Sequence, residues 1–188
     1  MVKYLFIALL LVGLLPMAYS QNMTLGVTSG YVTNRFNFDK SSSPTNGYGF
    51  EANAWFNPQK KLHFGLTAGY YRMQETSFSN TQSSPSQMIP LMGGIEYQFW
   101  KGQRMKPFVG VETGVYLYQN NGGINDINNN SFGLHYGFSP NMGMAYALTG
   151  KISLNTRVRY GGMLMQYGGY SNIFSVTTGV TVDLNGKK

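Results

Sequence analysis

Five ionisable side chains stand out in a chain of which only 11% is charged. Glu51, Glu96, Glu112, Arg157 and Arg159 lie among apolar and small residues rather than in turns. Carboxylates and guanidiniums mixed in this way can pair, relay protons or line an ion path. A second set, His135, Ser139 and Glu112, contains the base, nucleophile and acid of nucleophilic catalysis. Metal chemistry is poorly supplied. There are two His and no Cys, and Asp126 is the one acid in its Asn-rich loop. Zinc wants clustered N or S ligands, and calcium several carboxylates. No Gly-rich loop opens a helix, so no phosphate cradle is expected. No cofactor is implied.

What these groups can do depends on the elements that carry them. Tyr48, Phe50, Ala52, Ala54 and Phe56 are apolar, and Gly49, Glu51 and Asn53 lie between them. A period of two belongs to a β-strand with one apolar face. The pattern recurs in eight segments: 22–33, 48–57, 62–73, 87–100, 107–119, 131–148, 152–165 and 172–184. Pro140 predicts a bulge or bend in the sixth. Helical periodicity is absent after the first twenty residues.

Connections alternate in length. Pro58–Lys61, 101–106 and Thr149–Lys151 are short, whereas 34–47, 75–86, 120–130 and 166–171 are longer and rich in Ser, Asn, Gly and Gln. Eight up-and-down strands with both termini on one side require this. Outer-membrane barrels keep turns short in the periplasm and let loops grow outside. Lys60, Lys61, Lys101, Arg104, Lys106, Lys151, Lys187 and Lys188 fall in the short turns or at the C-terminus. They are read as a collar that faces lipid phosphates or keeps the edge soluble. The net charge of +7 thus does not imply nucleic acid.

The N-terminus reads as a cleavable signal peptide over 1–20. Lys3 is basic, Tyr4–Leu15 is apolar, and Ala18 and Ser20 are the small residues a signal peptidase reads. The remaining domain, 21–188, contains no apolar run long enough for a helical span.

Parity assigns the faces. Leu62, Phe64, Leu66, Ala68 and Tyr70 oppose His63, Gly65, Thr67, Gly69 and Tyr71. Ile152, Leu154, Val158 and Tyr160 oppose Ser153, Asn155, Arg157 and Arg159. With the apolar sets toward lipid, the polar sets converge on a charge-balanced lumen of Glu51, Glu96, Glu112, Arg157 and Arg159. Eight strands leave a lumen that side chains fill. Inward glycines at 65, 69, 110, 114, 133 and 137 are expected to make room for the long charged chains. Aromatic girdles are expected from Phe56, Phe99, Trp100 and Tyr146 at the turn end, and from Tyr31, Tyr48, Tyr70, Tyr118 and Phe132 at the loop end.

In this layout, over about residues 21–186, the chain resembles the small outer-membrane barrels: the membrane domain of OmpA, OmpX and the opacity-like surface proteins. The last strand, with Thr177, Gly179, Val182 and Leu184, looks like the family's C-terminal assembly signal. The resemblance implies recognition by the barrel-insertion machinery. Val182 and Leu184 stand where aromatics are commoner, and Asn185–Lys188 trails behind.

The expected fold is therefore an all-β, closed, eight-stranded antiparallel transmembrane barrel of a Gram-negative-type outer membrane, monomeric in lipid, with periplasmic termini. Some such barrels are lipid A-modifying enzymes that use His, Ser and an acid. Here His135-x-x-x-Ser139 departs from their His-x-Ser spacing, and parity buries all three groups in the lumen. The reading is of a non-enzymatic barrel with a plugged polar lumen, acting structurally or through a surface ligand of its four loops. A small channel or hydrophobic-solute conduit is the alternative. A soluble ligand-binding barrel would need the faces inverted.

Overall fold

The computed structural model describes residues 23–36, 44–56, 61–75, 85–100, 103–119, 133–164 and 169–184. The signal-peptide reading, Asp126, Phe132, the tail 185–188 and Lys60, Lys101, Lys187 and Lys188 lie outside them.

Eight strands run β1 Met23–Phe36, β2 Thr45–Phe56, β3 Leu62–Glu75, β4 Ser86–Gln98, β5 Met105–Gln119, β6 Gly133–Ala147, β7 Ile152–Leu164 and β8 Tyr170–Asp183. Each pairs antiparallel with its neighbour, and β1 pairs with β8, closing the sheet. Leu184 N–H donates to the Met23 carbonyl at 2.9 Å on this last seam. Closure gives every strand a partner on both sides, which hydrocarbon demands. All eight expected segments are strands, with ends displaced by up to three residues. The connections keep their alternation except at β7–β8, where 165–169 is as short as a turn.

The strands are 12 to 15 residues long. A tilted strand spans hydrocarbon in about 9–11 residues, so the strand ends reach past it into the interfaces.

The expected bulge at Pro140 is replaced by a gap. Pairing of β6 with β7 stops at Phe138↔Gly162 and resumes at Asn141↔Arg159 in the same register. Pro90 produces a matching gap between Ala68↔Leu91 and Tyr71↔Met88. Proline lacks the N–H that a ladder bond needs, and no residue is inserted to accommodate either one.

The apolar face points outward on every strand, as parity predicts. Phe50, Leu66, Leu91, Phe138, Leu154 and Val180 are all exposed. The inward face departs from expectation. Its loop half carries an apolar layer, built from Val32, Tyr71, Met73, Met88, Met92, Tyr116, Tyr118, Met163 and Ile173, with buried Asn34, Thr45, Ser86 and Ser171 at the strand ends beyond it. Tyr118, expected in the loop-end girdle, is one of these buried residues. Lumen sealed from water needs no polar lining, and methionine fills irregular space. The ion-paired part of the lumen is confined to the middle, and a small polar rim closes the loop end, where Ser171 Oγ donates to Asn34 Oδ1 and Thr45 Oγ1 donates to the Asn34 carbonyl at 3.2 Å.

Candidate functional site

Alternation on β2, β4, β5 and β7 brings the five charged residues together at mid-barrel. Arg159 is the hub. Its Nε donates to Glu112 Oε2 at 2.6 Å, and its Nη1 donates to Glu51 Oε1 at 2.5 Å. Arg157 Nη1 donates to Glu112 Oε1 at 3.1 Å. Arg157 Nη2 lies within ion-pair range of Glu96 Oε1, which has no well-aligned hydrogen bond. Glu112 thus bridges both arginines, while Glu96 sits at the edge.

All five are at most 5% exposed. Burial this deep is stable only if the remaining lone pairs and protons are also satisfied. Thr67 Oγ1 donates to Glu112 at 2.9 Å, Thr28 Oγ1 donates to Glu51 at 3.3 Å, and the Tyr71 hydroxyl donates to Glu51. The Arg157 guanidinium packs on the Trp55 and Phe108 rings, 4.9 and 5.1 Å from their centroids. Such cation–π contacts strengthen when water is excluded. The charges and the inward placement of Thr67 and Tyr71 were legible from the sequence, but Thr28, Trp55 and Phe108 were missed as their supports. Parity was the available signal, because Thr28, Trp55 and Phe108 share the inward positions.

Inward glycines serve rings as well as charges. A Cβ at Gly65 would enter the Trp55 ring, and one at Gly137 the Tyr116 ring. Cβ atoms at Gly110 and Gly94 would lie 2.7 and 2.6 Å from the Cγ atoms of Glu96 and Glu112.

Toward the turns, the cluster borders a cavity of about 120 Å³ lined by Trp55, His63, Glu96, Lys106, Phe108 and Asp183, among others. Trp55 Nε1 and Asn155 Oδ1 are buried there without protein partners, an arrangement that ordered water satisfies. Lys106, expected in the basic collar, faces this cavity because it precedes Phe108 by two residues. Lys61, Arg104 and Lys151 remain exposed at the turn end, with Lys61 6.0 Å from the Tyr97 ring centroid.

His135, Ser139 and Glu112 form no relay. Glu112 and Ser139 are cross-strand partners. His135 lies four residues from Ser139, about 13 Å along a strand, with its Nδ1 unpartnered. It is hydrogen-bonded to the Leu164 backbone, and Ser139 to Tyr116. Among the described residues, no group of three or more His, Cys, Asp or Glu could hold a metal. On β8, Thr177 is buried in the lumen and Gly179 also faces inward, whereas Val182 and Leu184 face outward.

A closed eight-stranded barrel with an apolar outer wall and a filled, ion-paired lumen defines a transmembrane β-barrel. The chain belongs to the outer membrane protein beta-barrel domain family, whose model matches residues 4–183. That membership makes it a protein of the Gram-negative-type outer membrane. Among curated proteins none matches the sequence.

Solved structures share the fold. Neisserial surface protein A (NspA) is 16% identical with a TM-score of 0.65, covering 86% of this chain and 97% of its own. OprG from Pseudomonas aeruginosa is 9% identical with a TM-score of 0.55, covering 88% and 98%. The outer membrane enzyme PagL is 15% identical with a TM-score of 0.50, covering 83% and 98%. One fold therefore serves both enzymes and other barrels, and function must be argued from the site.

Proposed function

We propose that this protein is a closed, non-conducting and non-enzymatic barrel that acts structurally or by presenting its outer loops to a surface ligand. The carrying observation is the filled lumen. The Glu51–Arg159–Glu112–Arg157–Glu96 chain crosses mid-barrel, and Met73, Met88 and Met163, each fully buried, seal the loop half. The separated His135 and Ser139 argue against hydrolysis. In this reading the turns and termini are periplasmic and four loops face outward. The protein is a monomer surrounded by lipid, and the insertion machinery reads the last strand through Thr177, Gly179, Val182 and Leu184.

Reconstitution into planar bilayers tests the lumen. Heat-modifiable protein is expected to pass no steady current. Steady conductance altered by Glu96→Gln or Arg157→Gln, without unfolding, would overturn the proposal and favour the channel. The apolar layer in the loop half of the lumen favours one second reading, a conduit for hydrophobic solutes. Swelling of protein-loaded vesicles in a short-chain apolar solute, absent from empty vesicles, would establish that conduit instead.

A further inference from the structure

Arg72 is an arginine on the wrong side for a lumen charge. It lies three residues from the loop end of β3 and faces outward, exposed, as does Arg35 near the loop end of β1. Among the described residues no carboxylate pairs with it; the ion pairs all belong to Arg157 and Arg159. Its surroundings are organised. Tyr31, Tyr48 and Arg72 are cross-strand neighbours on β1, β2 and β3, and Phe50 and Tyr70 form the next outward pair below. With Asn46 and Gln74 they line an open groove of about 780 Å³. One wall of the groove is held in place. The Tyr31 ring meets Tyr48 edge-on at 5.9 Å and 74°, and the Tyr31 hydroxyl donates to Asn46 Oδ1 at 2.7 Å.

Below the aromatic pair the wall becomes shallow. Ala52 and Ala68 are outward cross-strand partners, flanked by Val27 and Leu91. Gly93 continues the depression, where an added Cβ would find nothing closer than 3.8 Å. The exposed Phe50–Tyr70 pair stands between this shallow patch and the Arg72 guanidinium at the loop end, so an acyl chain running from one to the other passes over their rings. Arginine matches phosphate oxygens with two parallel N–H donors, and desolvation by tyrosine rings strengthens the contact.

We propose that Arg72 binds the phosphate of a phosphorylated glycolipid of the outer leaflet, with Asn46 and Gln74 hydrogen-bonding the headgroup and one acyl chain lying along Ala52 and Ala68. This rests on the orientation proposed above, in which the loop end faces outward. Charge and shape act together in the site. Neither a free phosphate nor an uncharged lipid satisfies both parts.

The test uses the refolded full-length barrel in detergent micelles, titrated with a diphosphorylated glycolipid or its dephosphorylated form. Retained lipid is read by native mass spectrometry. Arg72→Gln is expected to weaken retention of the phosphorylated form about tenfold, the loss of one charge-assisted contact, and to leave the dephosphorylated form unchanged. Ala68→Leu, which fills the shallow patch at the Ala52–Ala68 pair, weakens both. Arg72→Gln retaining the phosphorylated lipid with wild-type preference would overturn the site. So would complete displacement by millimolar inorganic phosphate, which would mean anion binding without a lipid. Heat-modifiability of each variant controls for folding. Protease access to residues 76–85 on intact cells tests the orientation separately, and an inward-facing loop end there would sink the orientation while leaving the micelle result intact.

Discussion

Glu112→Leu is expected to lower barrel stability by about 3–5 kcal/mol, the cost of breaking a buried ion pair from one side. Glu112 is the carboxylate shared by both arginines. Its loss leaves Arg157 Nη1 and Arg159 Nε in the barrel centre facing an apolar side chain. Glu51→Gln should cost less, because Arg159 keeps Glu112 and glutamine retains an acceptor. Glu96→Gln should cost least, because Glu96 borders the turn-side cavity and water there can solvate what remains. The order Glu112, then Glu51, then Glu96 is the prediction. It is read from urea midpoints of the heat-modifiable band. Adding Arg159→Met to Glu112→Leu should recover part of the loss by removing an unpaired charge. A Glu112→Leu midpoint matching wild type would show that the network fills the lumen without holding it.

Strand count, parity and closure were legible because hydrocarbon imposes one rule on every strand: alternate, and leave no edge. Glu51, Glu96, Glu112, Arg157 and Arg159 could be placed in one layer because each occupied an inward position on its own strand. The loop-side plug was not legible. Met73, Met88 and Met163 sit at inward positions, but alternation says only which residues face in, not how the lumen divides along its length. Tyr118 was misread for the same reason, since an aromatic near a strand end suits either a girdle or a plug, and parity decides. Proline at 140 signals a lost hydrogen bond, and a bulge was one of two ways to meet that loss. The barrel leaves the ladder unpaired instead. Arg72 occupies an outward position of β3 in the sequence pattern, but only strand pairing sets it beside Tyr31, Tyr48 and the Ala52–Ala68 pair.

The β1–β8 seam carries the other large effect. Gly179 and Gly30 both face inward there, and each lies against the backbone of the opposite strand. A Cβ at Gly179 would overlap the Val27 carbonyl oxygen, and one at Gly30 would overlap that of Val176. Side chains can swing away from a new methyl group, but a paired backbone moves only by opening the ladder. Gly179→Ala and Gly30→Ala are therefore each expected to destabilise by about 1–3 kcal/mol, the range for overpacking, and to slow closure. The pair also separates two roles for Gly179. It belongs to the proposed assembly signal, whereas Gly30 does not, although both meet the same steric limit. Refolding into pure lipid vesicles, without insertion machinery, should be impaired by both substitutions alike. If Gly179→Ala refolds normally there yet fails to insert in cells, while Gly30→Ala inserts, recognition rather than packing accounts for the glycine. If both refold at wild-type rate with unchanged urea midpoints, the close approach at the seam is relieved by small strand shifts and closure does not depend on it.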